Sequence, residues 1–152
     1  MHKENEFDVE IELIGEKIIF LSFVKNGRNY FRDFLENLDE NGRKKIVPRI
    51  SKIANDYGLN LRNQEILKWI TKKKIKFGYI KTKNPSLRVS IWRYDFIKTF
   101  AIIILGFSKK SEKADKKTSQ FYDKTINEIK FILENEDEFK KKLGRILKRI
   151  QK

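Results

Sequence analysis

The spacing of apolar residues changes several times along this chain, and each change marks an element. Phe7, Val9, Ile11 and Leu13 alternate with Asp8, Glu10 and Glu12, the period of a half-buried strand. Gly15-Glu16 makes a turn, "KIIFLSFV" (17–24) predicts a second and more buried strand, and "KNGRN" (25–29) a loop. The period then becomes helical. Tyr30, Phe31, Phe34, Leu35 and Leu38 share one helical face, and after "DENG" (39–42) so do Ile46, Val47, Ile50, Ile53, Ala54 and Tyr57. The two form a helical hairpin whose second arm Pro48 should kink and Gly58 should stop. Leu61, Ile66, Leu67 and Ile70 suggest one further short helix.

From residue 75 the alternation returns in "IKFGYIK" (75–81), "LRVSIWRY" (87–94) and "KTFAIIIL" (98–105). Connections as short as "TKNPS" (82–86) and "DFI" (95–97) make an antiparallel meander the simplest topology. The last of these strands is apolar on both faces and should be central, ending at Gly106. After "FSKKSEKADKK" (107–117), Thr118 or Ser119 can cap a helix that runs to about Leu133. A final helix from "ENEDE" (134–138) carries Phe139, Leu143, Ile146, Leu147 and Ile150 on one face and cations on the other. The expected architecture is a single α+β domain over 1–152, in which 135–152 form a C-terminal helical extension.

Charge sharpens this picture. The net charge is +14, and residues 68–117 hold 15 basic and 3 acidic side chains, whereas residues 1–67 hold 11 and 12. Such an excess on one strand-rich segment is the footprint of a polyanion-binding surface. The absence of cysteine fits a reducing cytoplasm, and the longest apolar run, "AIIILGF" (101–107), is too short to span a membrane. The only histidine is His2, which leaves no histidine-based triad or metal cluster. No Walker-type loop or G-x-G-x-x-G occurs, and Asp95, Glu112 and Asp115 are too few in 68–117 for a two-metal site. No cofactor or metal is expected.

Three groups of residues carry candidate chemistry. If Leu87, Val89 and Ile91 face the helical hairpin, Arg88, Ser90, Trp92 and Tyr94 face the other way, and Arg93 falls on the opposite parity. A guanidinium among aromatic planes suits single-stranded RNA, through phosphate contact and base stacking. Equally, Trp92 and Tyr94 can cover a second core beneath the C-terminal helices. The segment from Gly106 to Lys113 releases Lys109, Lys110 and Lys113 beside a helix start, a setting that favours phosphate. The third group is Lys72, Lys73 and Lys74, with Lys81 and Lys83 around the following strand.

Segment 31–58, "LRVS" (87–90), and the stretch 102–129 with its "GFSKK" resemble the RelE/HigB superfamily of type II toxins, closest to its phage-derived branch. The resemblance covers roughly residues 17–133. It implies a microbial ribonuclease fold, with an antiparallel sheet against the N-terminal helical hairpin and C-terminal helices. It also implies metal-independent cleavage of mRNA, commonly on the ribosome, and inhibition by a cognate antitoxin. By position, Arg88, Lys109 and Lys110 correspond to residues that contact the scissile phosphate in that family, with Lys81 as a further equivalent. The tyrosine that some members place soon after the basic pair has no counterpart, since Asp115 and Lys116 stand there and Tyr122 comes later. The RNA-binding set is then Lys72, Lys73, Lys74, Lys81, Lys83, Trp92, Arg93, Tyr94 and Lys113. Two other readings remain, a gyrase-inhibiting toxin of the same superfamily and an RNA-binding module without chemistry.

Overall fold

The N-terminal alternation builds β1 (Phe7–Ile14), which pairs antiparallel with β2 (Ile19–Lys25). The computed structural model describes residues 6–109 and 115–151. Within "KNGRN" a two-residue strand, β3 (Arg28–Asn29), pairs back on β2. Asn29 caps α1 (Tyr30–Asn37), its Oδ1 accepting the Arg32 N–H at 3.0 Å. Asp39 does the same for α2 (Glu40–Lys52), accepting from Gly42 at 2.7 Å. The helix continues through Pro48 and widens only afterwards, into a π-helical turn at Ile53–Tyr57. Gly58, at φ 69°, closes that turn with its N–H on the Ile53 carbonyl.

The next segment departs from the expected helix. Leu67–Lys72 is a strand, β4, that pairs antiparallel with β5 (Ile75–Lys81). Lys73 and Lys74 form the two-residue connection, both with positive φ (53° and 67°), as a hairpin turn of this length requires. The expected meander follows in β6 (Leu87–Arg93) and β7 (Phe100–Ser108). Helices α3 (Asp115–Glu134) and α4 (Glu136–Ile150) end the chain. The start of α3 at Asp115 leaves Thr118 and Ser119 inside the helix rather than at its cap.

The strand order is β1-β2-β7-β6-β5-β4, with β3 beside β2. The sheet is mixed rather than antiparallel, because β2 runs parallel to the central β7. The chain reaches that position only after α1, α2 and the other half of the sheet have intervened, and this frees the connection from hairpin geometry. One face packs Leu87, Val89 and Ile91 against Phe31, Ile46, Ile50 and Ile53 of the helical hairpin. The other packs Phe77, Tyr79, Trp92 and Ile102 beneath Phe121, Ile129, Phe139 and Leu143 of the C-terminal helices. The sheet is therefore a layer between two sets of helices. No described helix is long and apolar enough to cross a membrane.

β7 runs two residues past Gly106, so this glycine does not end the strand. A Cβ at Gly106 would lie 2.2 Å from the Phe34 ring, which shows that the ring of α1 sits directly on the strand backbone. Gly106→Ala should therefore force α1 outward and destabilise the protein by roughly 1–3 kcal/mol, the usual cost of overpacking. Urea unfolding checks this; an unchanged midpoint would show that Phe34 can swing aside freely.

Candidate functional site

The parity of β6 brings Arg88 to the face covered by α3, and cross-strand pairing sets Lys81 of β5 directly opposite it. Arg88 is half-buried and held from two sides. Its Nη1 donates to the Tyr122 hydroxyl at 2.8 Å, and the guanidinium carbon lies 4.8 Å from the centre of the Tyr79 ring. The Tyr79 and Tyr122 rings stack at 5.7 Å with 27° between their planes. Phe107, opposite Arg88 on β7, stacks on Phe121 at 5.3 Å and completes the wall below. Lys109 follows the end of β7, where its N–H donates to the Ser86 carbonyl at 2.9 Å. Lys81 and Arg88 thus meet at one end of the sheet, where the backbone of Lys109 leaves the neighbouring strand, and Lys68, opposite Tyr79 on β4, flanks them.

No carboxylate forms an ion pair with Lys68, Lys81, Arg88 or Lys109 among the described residues, although other cations of the protein do have such partners. The Arg88 Nε is buried and has no hydrogen-bond partner among them. Burial, and next the Arg88 charge, lower the Lys81 ammonium from the ordinary lysine value. Burial, with the neighbouring Tyr79 hydroxyl, pushes the Tyr122 phenol up to about 12 against the pull of Arg88. Tyr122 is therefore a neutral hydroxyl at physiological pH, oriented by a guanidinium. Such an arrangement can hold an anion between fixed cations and offer it a phenolic O–H.

The other nominated residues do not join this group. Lys72 and Lys73 reach Asp123 of α3 at 3.0 and 3.5 Å, and Lys72 also donates to Ser119. The hydrogen bond from Lys72, more than burial opposes it, holds the Asp123 carboxyl below the usual range. These two lysines tie the β4–β5 turn to the helix rather than offering free charge. Lys83 stands on an exposed pair with Glu65 at 3.5 Å. Lys74, the outer residue of the same turn, and Arg93, on the opposite parity to Arg88, lie at the far end of the sheet. Lys110 and Lys113 lie outside the described residues.

Trp92 and Tyr94 are not exposed stacking platforms, being only 7% and 2% accessible. Phe139 of α4 covers both, with ring centres 5.9 Å from Trp92 and 5.0 Å from Tyr94. The Tyr94 hydroxyl is also engaged, donating to Glu136 at 2.5 Å. Ser90, between them and Arg88, receives the Thr125 hydroxyl at 3.0 Å and the Leu105 N–H at 3.3 Å, which fixes α3 over a register shift in the β6–β7 ladder. The face that alternation left open is thus dry around Trp92 and cationic around Arg88.

Three members of the site escaped nomination. Tyr79 has the parity of Lys81 and was visible as such in "IKFGYIK". Lys68 lay in the segment read as helix. Tyr122 stands in an amphipathic helix beside Phe121, and nothing local to it signals a partner 34 residues away. No protein-family model, curated protein or solved structure matches the chain.

Proposed function

We propose that the chain is the toxin of a toxin–antitoxin pair, an endoribonuclease that cleaves mRNA without a metal, acting on the ribosome. One observation carries this reading. Lys81 and Arg88 face each other across neighbouring strands, and neither forms an ion pair among the described residues. Like charges in directly opposed positions are destabilising, and a phosphate bound between them relieves the repulsion. The excess of 15 basic over 3 acidic residues in 68–117 supplies the long-range attraction for such a backbone.

RNA brings its own nucleophile. The 2′-oxygen attacks the adjacent phosphorus, the bond to the 5′-oxygen breaks, and the products end in a 2′,3′-cyclic phosphate and a 5′-hydroxyl. Arg88 and the Tyr122 hydroxyl stabilise the charge on the pentacoordinate phosphorus. Lys81 in its neutral form, made more accessible by burial and by Arg88, takes the 2′-proton. Lys109 returns a proton to the 5′-oxygen. The net charge of +14 also suits an acidic antitoxin segment that orders itself on the protein and blocks this surface.

The test is cleavage of single-stranded RNA, free and on translating ribosomes at matched free magnesium. The cyclic phosphate end should appear and should persist with EDTA in the ribosome-free reaction. RNA left intact under both conditions would end the enzymatic reading. The pH dependence tests the assignment of the base. The rate should climb with pH as Lys81 loses its proton and level off below the ordinary lysine value of 10.5. Lys81→Arg, which keeps the charge but cannot release the proton, should bind RNA and lose that climb. An unaltered profile in Lys81→Arg would move the base elsewhere.

A further inference from the structure

A second feature lies at the other end of β6, where Arg93 follows Arg88 by five residues, about 17 Å along an extended strand. A cleft of about 790 Å³ opens there among the 59–61 loop, the β4–β5 turn, the β6–β7 connection and the start of α4. Its wall is aromatic. Trp69 and Phe96 line it, and Phe96 is 73% exposed, the most accessible large apolar side chain named among the described residues. Its rim is cationic. Lys74, Lys76 and Arg93 have no ion pair among the described residues, and the Arg93 Nε is buried without a hydrogen-bond partner. Lys76 Nζ lies 5.7 Å from the Trp69 ring, and Lys140 Nζ lies 4.5 Å from that of Phe96. Two carboxylates also line the cleft. Glu136 is engaged by the Tyr94 hydroxyl and by Lys140, and Asp95 is exposed on the connection.

An exposed ring beside Lys74, Lys76 and Arg93, which have no ion pair among the described residues, matches an aromatic ligand that carries negative charge. We propose that the cleft takes one unpaired RNA base on the exposed Phe96 ring, with a neighbouring phosphate on Arg93, Lys74 and Lys76. The choice of RNA rests on the ribonuclease reading; the cleft's demand for a planar anion does not. The cleft is thus an anchor separate from the Arg88 end, because Arg93 has the opposite parity and helices cover β6 between the two. Base stacking tolerates any sequence, so this contact adds affinity for single strands without setting codon preference.

The chain has only two tryptophans, and both Trp69 and Trp92 line this cleft, so intrinsic fluorescence reports on it directly. The probe is a labelled single-stranded RNA dodecamer carrying 2′-O-methyl groups, which cannot supply the 2′-nucleophile. Its binding, followed by anisotropy, should quench tryptophan emission with the same midpoint. Phe96→Ala, at an exposed position that the fold does not need, should weaken binding about tenfold, within the range for one stacked base. Arg93→Gln should reduce the salt dependence of affinity. RNA that binds without quenching, or Phe96→Ala protein that binds as tightly as wild type, would overturn the proposal. The two readings fail separately. Quenching by the methylated RNA with no cleavage of ordinary RNA would leave the cleft standing without the nuclease, and cleavage without quenching would remove the cleft alone.

Discussion

Arg88→Ala should lower the rate of RNA cleavage by roughly a hundredfold to a thousandfold, about 3–4 kcal/mol of transition-state stabilisation. The size follows from its position. Arg88 is the only guanidinium in the cationic row, it is held by Tyr79 and Tyr122, and its Nε has no partner among the described residues. Alanine removes both the charge and the donor that orients the Tyr122 hydroxyl. Arg88→Lys should recover only part of the loss, because a single ammonium cannot hold Tyr122 and a phosphate in the same fork. Tyr122→Phe separates the contributions: the charge stays and the hydroxyl goes. The loss should fall on kcat, with far-UV circular dichroism unchanged. A folded Arg88→Ala protein that still cleaves RNA and arrests growth at the wild-type level would sink the assignment.

Phe139→Ala should cost about 3–5 kcal/mol of stability, as for a large aromatic truncated within a core. Phe139 is fully buried and meets Trp92 and Tyr94 at ring-centre distances of 5.9 and 5.0 Å. Leu143 and Ile146 continue the same stripe of α4 into the sheet. Small domains are stable by about 5–15 kcal/mol, so this one change should bring the protein near the edge of folding. Denaturant midpoints measure it, and a loss below about 1 kcal/mol would mean that the cavity closes or that α4 contributes little. The same packing bears on partners. The apolar stripe of α4 is covered by the sheet, so an antitoxin of the kind proposed above would have to bind through another surface.

The meander was legible because its alternation is strong. Leu87, Val89 and Ile91 do face the helical hairpin, and Arg88 does face away. What covers the far side was not legible, since parity states a direction and not a neighbour. Trp92 and Tyr94 therefore read equally as stacking platforms and as core until α4 supplied Phe139. β4 was missed for a local reason. Leu67 and Ile70 fit a helical spacing, and the Lys73-Lys74 turn lacks the Asn or Gly that marks most two-residue hairpins. Lys68 was lost with it. The lysine run misled in another way: Lys72 and Lys73 looked like free charge because Asp123 lies far along the chain. Lys81 and Arg88 needed only strand register to meet; Tyr122 needed the packing of α3.

The parallel pairing of β2 with β7 bears on how the protein is made. Ile19 meets Phe100 and Ser22 meets Ile103, so the middle of the sheet joins parts of the chain synthesised far apart in time. Non-local closure of this kind slows folding, because the intervening chain loses its freedom before the contacts form. While a ribosome is still producing the second half, β1, β2 and the helical hairpin lack the strand on which they settle. Lys81 and Arg88 emerge before Tyr122, and a nascent chain at that stage holds its cations without the helix that fixes them. The proposed site is therefore complete only after α3 has been made and packed, later than Lys81 and Arg88 themselves.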